Sequence, residues 1–330
     1  MGTPLRVVRQ PSRRQASIDS FRRQLQFDDK SRETIKAYTG ALASLDAWLA
    51  TRERLAGRPA ADFSEVSSEE LKEFFKDWRL GDELHGINAH AFNTVHQKYR
   101  SLKTFYNWLG RDVMGDDWIN PIKKVELRKK NDKDRKLPAS KVLTDEQIAA
   151  ILALVARKRD FYSLRDHAIL RVFLEGARRS EVAFIELADL DLERRLIRLV
   201  GAKGDASGER ERIIKVSPAT IMAVDKYLTR RQRHKAAGEQ RLWLGKAGKM
   251  TEWGVADVLY RRAEQAGVKL HPHMFRHTFS HNWLKAGGSE DGLMTHQGWV
   301  TRAMIQVYGS ELAEERAHLE ADRLGINNKF

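Results

Sequence analysis

Residues 271–308 read HPHMFRHTFSHNWLKAGGSEDGLMTHQGWVTRAMIQVY, and the rest of the chain is organised around them. Pro272 suits the first turn of a helix, in which His273 and Arg276, three residues apart, share a face. Gly298 and Trp299 follow, and nine residues after the tryptophan comes Tyr308, in a helical stretch that Gly309 closes. These residue types suit one task, breaking a phosphodiester without a metal. Arginine offers a planar fork to phosphate oxygens, and the nucleophile must stay covalently attached. Tyrosine can serve if its proton is removed. Ionising a phenol of pKa about 10 at pH 7 costs roughly 4 kcal/mol, so clustered cations or a base must lower that cost. Arg276 and His273 can do both, and Tyr308 is the candidate nucleophile.

HPHMFRHTF, then GW, then Tyr resembles the catalytic end of the tyrosine recombinase, or phage integrase, family, whose motif is His-x-x-Arg, Gly-His or Gly-Trp, then Tyr. Trp299 stands where histidine is commoner, which keeps an N–H donor for phosphate and removes a titrating group. HxxR alone is a weak signal; four features in order are a strong one. The resemblance also makes sense of Gly-Ala-Arg-Arg-Ser-Glu at 176–181. The family's first arginine lies in Gly-x-Arg-x-Ser-Glu, which maps onto Arg178 and leaves Glu181 as its supporting carboxylate.

Between these segments, 195–200 alternates polar and apolar residues and 211–216 is a β-rich run, with GAKGDASGER between them. Two strands around a glycine-rich loop make a hairpin. The family's catalytic lysine sits on such a hairpin in a Gly-Lys-Gly-like setting. Lys203 is therefore the matching general acid toward the leaving 5′-oxygen, although the inserted Ala202 shifts the pattern.

A formal charge of +14 over 330 residues points to a polyanionic partner. The absence of cysteine excludes disulfides, thiolate metal sites and cysteine nucleophiles. No apolar run is long enough to span a bilayer and the basic N-terminus precedes no apolar core, so a cytoplasmic, nucleoid-associated protein is expected.

Taken in order, residues 1–29 are polar and basic without a sustained period and are expected to form a flexible tail, either touching phosphate or simply solvated. No separate arm-binding module is expected ahead of Asp29. From Ser31, Ile35, Tyr38, Leu42, Leu45 and Trp48 predict a helix of about four turns. The pair Ser67 and Glu70 makes a capping box for a second helix. Phe92 to Leu109 gives a third with basic residues off its apolar side, stopped by Gly110. Trp48, Phe74, Trp78, Phe105 and Trp108 read as core. Residues 30–121 thus form a helical, basic DNA-binding domain that resembles the family's core-binding domain. Residues 122–141 are charge-dense and aperiodic, a linker that is either a spacer or a basic strap across DNA. Thr144 and Gln147 form a capping box that opens the catalytic domain, 142–308. Leu164, Ile169, Leu170, Phe173 and Leu174 face its core; 217–267 adds helices, with Trp243 and Trp253 as core or loop anchors. The tail, 309–330, reads as a helix too poor in apolar groups to stand alone, docking on a neighbouring protomer or folding back.

The expected architecture is mainly α, in two domains, with an α+β catalytic domain holding a small antiparallel hairpin or sheet. The resemblance implies a site-specific DNA recombinase for integration, excision or resolution. It works through a 3′-phosphotyrosine that conserves the phosphodiester energy, needs no metal or other cofactor, and acts as four protomers on two specific duplex sites. Arg178 and Arg276 clamp the phosphate, Trp299 donates its indole N–H, and His273 takes the phenol proton or orients the phosphate. The rivals are a type IB topoisomerase using much the same residues, and a relative that binds DNA without cutting it. A zinc site on His273, His277 and His281 lacks the glutamate of HExxH.

Overall fold

The computed structural model describes residues 12–128, 142–201, 211–302, 304–305 and 313–325. It divides into two units, Met1–Lys129 and Lys130–Phe330.

The first unit is helical: α1 (Arg13–Phe27), α2 (Arg32–Ala56), α3 (Ser68–Leu80) and α4 (Phe92–Leu109). The N-terminal segment departs from expectation, because residues 13–27 are a helix and not a flexible tail. Ile18, Phe21 and Leu25, a sparse i, i+3, i+7 stripe, are buried in the unit's core. Arg14 is also buried, and its fork joins both oxygens of Glu53 at 2.8 and 2.9 Å and Asp46 at 2.7 Å. A buried arginine is tolerated when its charge and donors are matched in this way.

Helix α2 runs for 25 residues, well past four turns, since Leu49 prolongs the buried stripe and Gly57 ends the helix in the left-handed region at φ 61°. The Ser67–Glu70 box caps α3 as expected. Gly110 does not stop α4. It continues in right-handed geometry into a π turn, Gly110–Met114, and the reversal falls on Gly115 at φ 83°. The expected linker also starts too early. Ile122 and Val125 are buried in the first core, Asn120 accepts from the Ile122 N–H at 3.1 Å, and the Tyr99 hydroxyl donates to the Val125 carbonyl at 3.1 Å. Residues 122–128 therefore belong to the first unit; most of the remaining linker lies outside the described residues. Of the five aromatics read as core, Trp48, Phe74, Phe105 and Trp108 are buried and Trp78 is half-buried.

The second unit places α5 (Asp145–Ala156), α6 (Phe161–Leu174), α7 (Arg179–Phe184), α8 (Pro218–Arg231), α9 (Glu252–Gln265), α10 (Pro272–Lys285), α11 (Glu290–Gln297) and α12 (Ala313–Leu324) with a three-stranded antiparallel sheet. Its strands are β1 (Leu190–Asp191), β2 (Leu196–Val200) and β3 (Glu211–Lys215), in that order, with Leu196 opposite Lys215 and Val200 opposite Glu211. Alternation is clean: Ile197, Leu199 and Ile214 enter the core while Arg198 and Ile213 face out. Strand β1 has no counterpart in the expected hairpin; two residues are too few to leave a period in the sequence.

The Thr144–Gln147 box starts α5. Helix α6 is the spine, with Ala168, Ile169, Leu170, Val172 and Phe173 inaccessible and Leu174 at the margin. Trp243 is core and donates its indole N–H to the Val182 carbonyl at 2.7 Å, which fixes α7. Trp253 is 70% exposed, under the Arg179 guanidinium at 4.7 Å. No described helix is long and apolar enough to cross a membrane.

Candidate active site

Helix α10 opens with Pro272 at its first position, where a missing N–H costs nothing. Its Arg276 is 2% exposed. One guanidinium nitrogen donates to the Gly176 carbonyl at 3.0 Å and the other to the Gln297 carbonyl at 2.6 Å. A single side chain thus ties the turn after α6 to the turn after α11. The approach needs glycine: a Cβ on Gly176 (φ 82°) would fall 2.5 Å from the Gln297 amide nitrogen and 3.0 Å from the Phe279 ring.

The turn that Gly176 begins delivers Arg178 to the N-cap position of α7. Its backbone N–H donates to one Glu181 oxygen at 2.7 Å and its guanidinium to the other at 2.5 Å. Glu181 is buried, while the Arg178 side chain stays 40% exposed. One edge of Arg178 is thus anchored while the side chain keeps access to solvent.

A third arginine completes the arrangement, and no reading of the sequence singled it out. Arg212 on β3 donates to both Glu181 oxygens, at 2.5 and 2.9 Å, and through Nε to the His296 carbonyl at 2.7 Å. Gly298, left-handed at φ 63°, passes close above its stem, where a Cβ would lie 3.2 Å from the Arg212 Cδ. Burial alone would raise the Glu181 pKa, but the Arg212 hydrogen bonds and the charges of Arg212 and Arg178 bring it down to about 2. Burial, followed by the charges of Arg212 and Arg276, pushes His296 down to about 4. That imidazole is therefore neutral beside the site at physiological pH.

Arg178, Arg212, Thr295, Gly298 and Trp299 line a cleft of ≈ 600 Å³. Trp299 is 8% exposed, and the Arg276 guanidinium lies 5.4 Å from its ring centroid. Trp299 packs in a small cluster with Leu284, Leu293 and Ile305, which anchors the chain three residues before Tyr308.

Of the residues expected from the sequence, Arg178, Glu181, Arg276 and Trp299 come together around this cleft and its floor. His273 is exposed in the first turn of α10, its ring 4.6 Å edge-on from that of His277. Lys203 and Tyr308 lie outside the described residues. His273, His277 and His281 do not gather their ring nitrogens. Among the described residues, the group of three possible ligands within 4.8 Å of one another is Asp77, Asp82 and His85, in the first unit.

Residues 141–315 match the phage integrase family, and residues 18–116 match the phage integrase N-terminal SAM-like domain. The tyrosine recombinase XerC of Roseiflexus castenholzii is 28% identical over 310 residues, covering 91% of this chain and 90% of that protein. XerC of Myxococcus xanthus is 30% identical over 228 residues, 66% of this chain and 72% of that protein. Among solved structures, the XerH site-specific recombinase bound to its difH substrate superposes with a TM-score of 0.66 at 16% identity, covering 93% of this chain and 84% of that one. The Tn1549 transposon integrase in complex with transposon right end DNA gives 0.65 at 19%, covering 94% and 99%. At such identities the structural likeness speaks for the fold.

Proposed function

Since the chain belongs to the phage integrase family of tyrosine recombinases, we propose that it cuts and rejoins duplex DNA at specific sites through a 3′-phosphotyrosine formed on Tyr308. The observation that carries this reading is the meeting of Arg178, its buried carboxylate Glu181, Arg276 and Trp299 from three separated segments of the chain around one cleft. In the proposed reaction the scissile phosphate enters this cleft. Arg178 holds its oxygens with a planar fork, Arg276 adds charge from behind, and Trp299 donates its indole N–H. The Tyr308 oxygen attacks phosphorus, its proton passing to His273 or to water, and a P–O(Tyr) bond forms as the bond to the 5′-oxygen breaks. Lys203 gives the leaving 5′-oxygen its proton. Reversal with the 5′-hydroxyl of a partner strand regenerates the phenol and a new phosphodiester, so neither ATP nor an oxidant is needed.

The family resemblance and the need to exchange strands between two duplexes together support a working unit of four protomers.

The test is trapping on nicked duplexes carrying a site selected from random DNA by the full chain, with EDTA present. Wild type should yield a covalent complex on a denaturing gel. Tyr308→Phe should yield none while binding DNA as tightly. An adduct retained by Tyr308→Phe would remove the nucleophile assignment, and no wild-type adduct on a verified site would favour a protein that binds without cutting. Relaxation of supercoils with no recombinant product would move the reading to a type IB topoisomerase.

A further inference from the structure

Resting on the proposed function, we infer that Arg212 is a positioning residue: it saturates Glu181 so that this carboxylate cannot draw Arg178 out of the cleft. An ionised carboxylate accepts about four hydrogen bonds. Glu181 has all four: the Arg178 backbone N–H and one Arg212 nitrogen on one oxygen, the Arg178 guanidinium and the other Arg212 nitrogen on the other. Arg212 therefore takes the bidentate place, the most favourable geometry for an arginine on a carboxylate. Arg178 is left with a single side-chain bond to Glu181 and remains 40% exposed, whereas the Arg212 side chain is 10% exposed.

The two arginines divide the work by where their donors go. Each Arg212 nitrogen gives a donor to a protein acceptor, two to Glu181 and one to the His296 carbonyl, which uses three of its five N–H groups. Without Arg212, half of the Glu181 acceptor sites in a buried location would stand empty, which is costly. The nearest donor able to fill them is the Arg178 guanidinium, which would rotate into the bidentate place and away from a bound phosphate. The same residue fastens β3 to the turn that carries Gly298 and Trp299. Its loss should therefore act on the rate of cleavage and leave DNA affinity nearly unchanged.

The sign of the epistasis tests this. The assay is covalent-adduct formation by the full chain on nicked duplexes bearing the selected site, with affinity measured in parallel. Arg212→Gln should slow adduct formation by about 10- to 100-fold, the usual loss when a supporting residue of a site is removed, with the dissociation constant within about threefold. Adding Glu181→Gln removes the charge that draws Arg178 inward, so the double variant should be faster than Arg212→Gln alone. If Arg212 gripped the phosphate itself, the double variant would be as slow or slower, and the inference falls. Arg212→Lys, which keeps the charge and secures folding, lacks the planar fork and should behave like Arg212→Gln; a wild-type rate would reduce Arg212 to a point charge and overturn the inference. A crystal structure of Arg212→Gln without DNA is independent of the recombinase reading. It should show Arg178 bonded to both Glu181 oxygens, and an unmoved Arg178 would refute the claim even if no wild-type adduct ever formed.

Discussion

Glu181→Gln is the most informative single change for the energetics of the site, because glutamine has the shape of the protonated acid. Glu181 is buried and its pKa falls from 4.5 to about 2 in the folded chain. A difference of about 2.5 units at ~1.4 kcal/mol per unit corresponds to roughly 3 kcal/mol of folded-state stability. Since the folded pKa is the lower one, that stability is fully present above pH 4.5 and is lost as pH falls from 4.5 toward 2. The variant should thus unfold more easily than wild type by roughly 3 kcal/mol at pH 7, and the gap should narrow to roughly 1 kcal/mol at pH 3, where protonation has taken most of the advantage from wild type. Urea unfolding of the full chain measures it, with the transition of the second unit identified by limited proteolysis. A gap that stays constant from pH 7 to pH 3 would mean that Glu181 is not held ionised by its arginines, and the account of the site would fail with it.

Gly176→Ala combines a left-handed backbone with a contact of 2.5 Å, and should destabilise the second unit by about 1–3 kcal/mol in thermal unfolding. Trp299→Phe removes the only polar hydrogen of that side chain and should slow adduct formation by about 10²–10³-fold, the cost of losing one transition-state donor; Trp299→His should retain activity and add one further ionisation in the histidine range to the pH profile. Deletion of residues 1–30 should lower the stability of the first unit by at least about 3–5 kcal/mol, because Phe21 alone is a full core aromatic and Ile18, Leu25 and Arg14 leave with it; calorimetry showing no change would return that segment to the status of a dispensable tail.

Much of this was legible because several signals coincide in the sequence. Both capping boxes start helices where Ser67 and Thr144 say they should, and Pro272 opens α10. Gly176 breaks α6 and puts Arg178 beside Glu181, a pairing within one helical turn that spacing alone can suggest. Other features needed the third dimension. Helix α1 carries three core residues among arginines and glutamines, too thin a stripe to stand out, and its burial depends on Asp46 and Glu53 of the next helix neutralising Arg14. Arg212 reads locally as an ordinary polar strand residue. Its importance comes from partners 31 and 84 positions earlier and later, at Glu181 and His296, which no local period encodes. Residues 122–128 look like a linker because charged residues outnumber the apolar ones, yet Ile122 and Val125 suffice to seat them in the first core.

Two anchors of Arg276 are main-chain carbonyls, at positions 176 and 297, and one anchor of Arg212 is another, at 296. Every residue type carries that oxygen, so these fastenings themselves ask nothing of the side chains at 296 and 297, which are constrained separately by their own packing, as in the His296 ring stacked on Phe279 at 4.5 Å. Directed evolution of this turn can therefore vary both positions together among side chains of matching bulk, while an insertion or deletion of one residue there would unfasten two arginines at once.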